Sequence, residues 1–327
     1  MKHSKTAASI LLCIIVAITS LPTHVMAESK DIVEKNDNKY SYVNLTEDIR
    51  ALTQNYPDIL KYQNLGYTVD KRKIHSIRLG AEDASKSVII TASAHAREYI
   101  NSHVAMTILE KYAQRHNTGK YKNKKYSQIF EETAIYIVPM VNPDGVTISQ
   151  FGPSKIKDVK LRKRVVSTSR NGSYKIWKAN ARGVDINRNF SSGFVKTSGY
   201  ASEFKGGPKA FSEKETVAVK KLVEGVPNLK GVINLHTRGQ IIYWGYTSKN
   251  KSKCTKFANM VSETTRYNKS RETGRGNGDM EHWLLNKVKC PYVCVENGRS
   301  NSPVSYSEFK DIVSRNATLI EKTAYIL

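Results

Sequence analysis

The sequence predicts an α/β fold in one domain: a mixed, mostly parallel β-sheet flanked by helices. Three observations carry that expectation. Apolar, β-branched runs recur along the chain and alternate with stretches of helical periodicity, the pattern of layered α/β folds. Several runs end on a histidine or glutamate, as in Ile233-Asn234-Leu235-His236 and Tyr292-Val293-Cys294-Val295-Glu296. No internal repeat or low-complexity tract divides the 327 residues, a length that suits one large domain.

From the amino end, residues 1–27 read as a secretory signal peptide. Lys2 and Lys5 open it, an apolar run extends from Ala7 to Ile18, and Val25-Met26-Ala27 forms a small-residue cleavage site before Glu28. The apolar run is shorter than the ~20 residues a membrane span needs. Cys13 lies inside it, not at a lipoprotein-type site. The expectation is a secreted protein with no membrane anchor after cleavage. Residues 28–39 are polar and read as a short flexible leader, which leaves residues 40–327 as the domain.

Within the domain, Thr46 to Leu52 reads as an amphipathic helix with Thr46 as its cap and acids in its first turn. Ile74 to Leu79, Ser87 to Ala94 and Ile135 to Val141 read as strands. Ile100, Val104, Ile108 and Tyr112 recur at helical spacing, so a helix follows the second of these strands. Val141-Asn142-Pro143-Asp144-Gly145-Val146 has the chemistry of a turn. Ser212 is placed to cap a helix running to about Glu224, and Gly231 to Leu235 reads as a strand. The polar, glycine-rich stretch from Tyr267 to Gly278 reads as a flexible loop or lid.

Lys and Arg outnumber Asp and Glu 52 to 29, a formal charge of +23, or +21 once the two lysines of the signal peptide are removed. Basic residues cluster in Lys155 to Arg170, Lys120 to Lys125 and Lys249 to Lys256. Such a surface serves solubility and also attraction to a polyanion. No interleaved aromatic and basic pattern points to nucleic acid. An anionic cell wall is the more natural partner of an exported basic protein, through an attraction that salt would weaken. Cys254, Cys290 and Cys294 remain after cleavage, an odd number that leaves at least one outside any internal pair. Cys290 and Cys294 would lie ~13 Å apart on an extended strand, too far for a bridge; a pairing of Cys254 with either stays open.

Four separated segments carry the chemistry. They are His95-Ala96-Arg97-Glu98, Gly183-Val184-Asp185-Ile186-Asn187-Arg188-Asn189-Phe190, Ile233-Asn234-Leu235-His236-Thr237 and Pro291-Tyr292-Val293-Cys294-Val295-Glu296. A His-x-x-Glu pair alone is a weak signal. Here it sits between an apolar strand and a helix, where open α/β sheets place ligands, and a second histidine ends another strand. A catalytic zinc takes three such protein ligands and keeps one position open. In this order and spacing, the segments resemble the zinc carboxypeptidase (carboxypeptidase A-like) family over about Tyr40 to Leu327.

The resemblance implies one zinc ion held by His95, Glu98 and His236. It makes Glu296 the base that takes a proton from water, and Asp185 the acceptor that orients His95. Asn187 and Arg188 become the grip on the substrate's free carboxylate, a task that suits the planar guanidinium fork. Lys178, after Trp177, takes the place where most relatives carry an arginine that polarises the scissile carbonyl; it keeps the charge and loses the fork. Tyr267 is the available counterpart of the family's mobile substrate-covering tyrosine. His75, His103 and His116 read as structural, and His282 as a structural or pocket residue.

The run Trp177-Lys178-Ala179-Asn180-Ala181-Arg182-Gly183-Val184-Asp185 is more similar to the bacterial branch that cuts peptidoglycan stem peptides, between γ-D-glutamate and an L-diamino acid. Counting back from Glu296, Trp283 matches a tryptophan near the family's specificity pocket, and Glu281 falls where the side chain is selected. An acid there would favour a cationic residue. The alternatives are a general metallocarboxypeptidase removing basic C-terminal residues, and an inactive wall-binding protein.

Overall fold

The computed structural model describes residues 31–169, 172–274 and 276–327, so the expected signal peptide lies outside the described residues. Among the described residues no helix is long and apolar enough to cross a membrane. The strands, in chain order, are β1 (Leu60–Tyr67), β2 (Lys73–Leu79), β3 (Lys86–Ala92), β4 (Lys120–Tyr121), β5 (Lys124–Lys125), β6 (Thr133–Val138), β7 (Leu229–His236), β8 (Ile241–Trp244), β9 (Asn268–Arg271) and β10 (Tyr292–Glu296). Eight of them form one sheet in the order β1-β2-β6-β3-β7-β10-β8-β9, while β4 and β5 make a small hairpin. Its centre, from β6 through β3 and β7 to β10, is parallel.

The helices are α1 (Tyr42–Asn55), α2 (Ile100–Gln114), α3 (Tyr126–Glu132), α4 (Pro143–Phe151), α5 (Val159–Thr168), α6 (Lys214–Gly225), α7 (Lys251–Thr265), α8 (Met280–Trp283), α9 (Phe309–Asn316) and α10 (Leu319–Ile326). They cover both faces of the sheet. Val88 and Ile90 of β3 pack into one core with Leu109 of α2 and Val261 of α7. Ile89 points into the other, with Val219 and Leu222 of α6 and Trp283 of α8. Both faces of β3 are thus buried, which explains its unbroken apolar run. A third, smaller cluster seats Trp177 against Ile148 and Val165, beneath the loop that carries Lys178.

Several local expectations shift. Helix α1 begins earlier than its periodicity suggested: Ser41 caps it in a reciprocal arrangement with Asn44, and Thr46 instead donates to the Tyr42 carbonyl inside the helix. The Asn142-Pro143 turn is the start of α4, with Asn142 accepting from Gly145 N and Pro143 in the first turn. Glu213, not Ser212, stands at the cap position of α6; the Ser212 hydroxyl donates to the Glu213 carboxylate at 2.7 Å. The leader is anchored where it is described from Ile32 on: Val33 is buried, and the amides of Ile32 and Val33 donate to Glu110 at 2.6 and 3.1 Å. Part of the expected lid is strand β9, paired with β8. Cys254, Cys290 and Cys294 are free and buried.

Candidate active site

Three neighbouring parallel strands build the site at their carboxyl ends. Chain β3 ends at Ala92, and a short helical turn over Ala96–Glu98 folds Glu98 back toward His95. His236 is the last residue of β7, and Glu296, the last of β10, lies opposite it in register. Residues from 95 to 296 therefore meet because parallel strands bring their ends to one edge of the sheet.

The side chains converge. Nδ1 of His95 lies 2.9 Å from one Glu98 carboxylate oxygen, and Nδ1 of His236 lies 2.8 Å from the other. The two Nδ1 atoms are 3.1 Å apart. Thr237 N also donates to Glu98, at 3.2 Å, and fixes the carboxylate's rotation. On the far side, His95 Nε2 is 3.2 Å from Asp185 Oδ1, and His236 Nε2 is 2.8 Å from the Asn234 amide. Asn234 was given no role in the sequence reading, where it stood only as a member of the segment around His236. A half-turn of its amide presents the oxygen to Nε2–H and leaves Nδ1 of His236 free as a ligand. The hydroxyls of Thr91 and Tyr292, which bond the same amide, can each donate or accept.

Charge is concentrated here. Burial works against ionised Glu98, yet His95 and His236 outweigh it and hold the carboxyl well below its usual range. Burial likewise opposes the charge on His95, but Glu98 and Asp185 raise it to about 9. Asp185 is held low against burial by His95 and then Lys178. Two imidazole nitrogens and a carboxylate, all buried and all within 4.8 Å, are the donor set of a catalytic zinc. His95, Glu98 and His236 fit the ion.

A cleft of about 540 Å³ opens beside them, lined by Lys178, Arg188, Glu296, Asn187, Glu281 and Tyr243 among others. Lys178 Nζ is 3.1 Å from Asp185 Oδ2, and Arg188 Nε is 3.7 Å from the same oxygen. With its amide oxygen turned inward, Asn277 accepts from Arg188 Nη1 at 2.6 Å. Asn187 is steadied by accepting from Met280 N at 3.0 Å. Burial, and then the neighbouring Glu98, raise the carboxyl of Glu296 to about 8. Glu281 is buried, one of its oxygens has no hydrogen-bond partner, and burial followed by Asp279 raises it to about 8. Its neighbour His282 is tied to Asp279 at 2.8 Å and faces the same cleft.

Tyr267 is not brought to this cleft. It is buried in the main core, its hydroxyl donates to Asn297 at 3.2 Å, and Arg315 lies over its ring. The expectation that it covers the substrate is corrected: a side chain packed on both faces has no open path to the cleft. His75 and His103 keep structural surroundings. His75 stacks near Tyr42, and His103 is sandwiched by Tyr40 and Phe309.

Residues 45–309 match the family model described as zinc carboxypeptidase. The chain is 27% identical over 280 residues to gamma-D-glutamyl-L-diamino acid endopeptidase 1 of Lysinibacillus sphaericus, spanning 84% of this chain and 69% of that protein. It is 26% identical over 216 residues to carboxypeptidase B of Astacus astacus, spanning 64% of this chain and 65% of the other. The crystal structure of thrombin activatable fibrinolysis inhibitor superposes with a TM-score of 0.72 at 19% identity, over 90% of this chain and 77% of that one. Murein-tripeptide amidase from Escherichia coli O157 shares the fold at a TM-score of 0.51 and 18% identity, over 80% and 91% of the two chains. With a family match across most of its length and a buried His-Glu-His donor set in place, the chain belongs to the zinc carboxypeptidase family, hydrolases that act on peptides with one zinc ion.

Proposed function

We propose that this peptidase is exported and hydrolyses the bond between γ-D-glutamate and an L-diamino acid in peptidoglycan stem peptides. The observation that carries the reading is the buried, half-unpartnered Glu281 in the same cleft as Arg188 and Asn187. A residue with a free carboxylate for Arg188 and a side-chain ammonium for Glu281 satisfies both, and a diamino acid has both groups. The similarity to an endopeptidase of that specificity points the same way.

In the proposed mechanism, bound zinc supplies a Lewis acid and lowers the pKa of water. Every other part comes from the chain. Arg188 receives the terminal carboxylate in its planar fork, and the Asn187 amide adds a further hydrogen bond. Lys178 turns from Asp185 toward the scissile carbonyl and balances the charge that develops on its oxygen. Glu296 takes a proton from water as the water oxygen bonds to the carbonyl carbon. It then delivers that proton to the departing amine nitrogen as the carbon–nitrogen bond breaks. Burial, which pushes this carboxyl above its ordinary range, favours its holding the proton between the two steps. Asp185 keeps His95 oriented throughout.

The test is release of diaminopimelate from L-Ala-γ-D-Glu-meso-diaminopimelate, measured beside a peptide ending in lysine. Preference for the wall peptide supports the proposal; cleavage of the lysine peptide alone moves the assignment to a general carboxypeptidase trimming basic C-termini. That second reading rests on the same carboxylate grip, which does not by itself distinguish γ-linked from ordinary substrates. The intact ligand set and Glu296 speak against a silent wall-binding protein.

A further inference from the structure

Phe204 is an exposed aromatic residue fixed in place by its backbone. It is 56% exposed and adopts φ +65°, a left-handed conformation that bulky residues rarely take. The chain around it is stitched to the catalytic loop. Lys178 N and Ala179 N both donate to the Ser202 carbonyl, at 3.0 and 2.8 Å, and Asp185 N donates to the Lys205 carbonyl at 2.8 Å. Phe204 N itself points at Asp185 Oδ2, 3.4 Å away. One residue earlier, Glu203 pairs at 3.4 Å with Arg97, which lies between the ligands His95 and Glu98 in the chain.

The ring so presented lies against two cations of the cleft. Lys178 Nζ is 4.8 Å from its centroid and the Arg188 guanidinium carbon 5.3 Å. Both cations also lean on the single oxygen Asp185 Oδ2. Two like charges held side by side repel, and one carboxylate oxygen must serve both. An aromatic face supplies negative quadrupole to each without competing for their hydrogen-bond donors. It also excludes water from one flank.

We propose that Phe204 is a positioning residue of the substrate grip, whose ring holds Lys178 and Arg188 side by side and partly dehydrated before substrate arrives. The inference rests on the reading above that Arg188 receives the substrate's terminal carboxylate and Lys178 meets its scissile carbonyl. Holding the cations in advance lowers the cost of ordering them on binding. Through Arg188 the effect belongs to affinity, and it depends on the ring being aromatic, not merely apolar.

The experiment measures binding of meso-diaminopimelate and of L-lysine to the zinc-loaded enzyme by calorimetry, together with KM and kcat on the stem peptide. Phe204→Leu and Phe204→Gly should each weaken binding by about 5- to 30-fold, the combined worth of two partly exposed cation–ring contacts. KM should rise more than kcat falls. Phe204→Tyr and Phe204→Trp should stay within about twofold of the parent, on the same contacts. Phe204→Gly, which also relieves the left-handed backbone, should keep its thermal midpoint, separating lost affinity from lost folding. Wild-type affinity in Phe204→Leu would overturn the inference, as would weakening that appears only alongside a lowered midpoint. Arg188→Ala distinguishes the two levels. If it abolishes binding while Phe204→Leu does not, the role of the ring fails alone; if it leaves binding intact, the reading of the grip itself has failed.

Discussion

Glu281 ties substrate choice to pH. Its carboxyl is raised to about 8 by burial and by Asp279, so below that pH it stands neutral in the empty cleft. A cationic side chain needs it ionised. Affinity for L-lysine or diaminopimelate should therefore increase as pH rises from 6 toward 8, by up to about tenfold per unit, and level off above. Calorimetry across that range tests this, and Glu281→Gln should flatten the curve and erase the preference for a basic side chain. An unchanged curve in the variant would remove Glu281 from the pocket's role. The zinc donors, and the place of Glu296 in the cleft, were legible in sequence because the chemistry demands particular residue types at or just beyond strand ends. Asn234 and Phe204 were not: each acts on a neighbour through space, one across the back of an imidazole and one over two cations. Tyr267 misled for the converse reason, since residue type and rough spacing matched while its packing faces the core.

Among the elements, the central strands were readable because β3, β7 and β10 are buried on both faces and show long apolar runs. Strand β1 was not, because its sequence, Leu60–Tyr67, mixes polar and apolar residues and is mostly exposed at the edge of the sheet. The glycine-rich approach to α8 was read as flexible, yet it supports the substrate grip. Gly278 has φ +86°, and a Cβ there would lie 2.3 Å from the Arg188 carbonyl. Gly278→Ala should cost about 1–3 kcal/mol through the left-handed backbone alone. By pushing the Arg188 backbone it should also raise KM by about tenfold or more, a loss of ~1.4 kcal/mol in binding. Gly225→Ala at the end of α6 is the control: among the described residues its Cβ would meet nothing within 4 Å, and it should leave both KM and thermal midpoint nearly unchanged. Equal effects from the two substitutions would contradict this division.

At the scale of the whole molecule, stability and surface charge respond to solution conditions in separable ways. Glu215 is fully buried, and burial followed by Asp144 and Glu213 raises it to about 8. In the folded state it keeps a proton that the unfolded chain releases above its ordinary range. Its contribution thus favours folding less and less as pH rises through that window, by about 1.4 kcal/mol per unit. Glu215→Gln should remove this slope, so the variant's thermal midpoint should gain on the parent between pH 6.5 and 8, by about 2–4 °C per kcal/mol. A constant difference between the two would show that Glu215 ionises normally. The formal charge of +21 expected after signal cleavage would favour attraction to an anionic wall. Retention on isolated cell walls should fall as salt is raised from about 50 to 500 mM, as the screening length shortens. Retention insensitive to salt would point to a specific site instead of the field of the whole surface.

The proposed activity on wall peptides joins the zinc site, Glu296 and the acidic cleft. It is tested most directly by following release of diaminopimelate from L-Ala-γ-D-Glu-meso-diaminopimelate by wild-type enzyme, by chelator-treated enzyme restored with zinc, and by Glu296→Ala with its zinc content measured. Rapid release by the wild type, loss and recovery with chelator and zinc, and a fall of about 10²–10⁴-fold in the variant with zinc retained are expected. Undiminished release by zinc-loaded Glu296→Ala, or no release by the wild type while a lysine-ended peptide is cut, would contradict it.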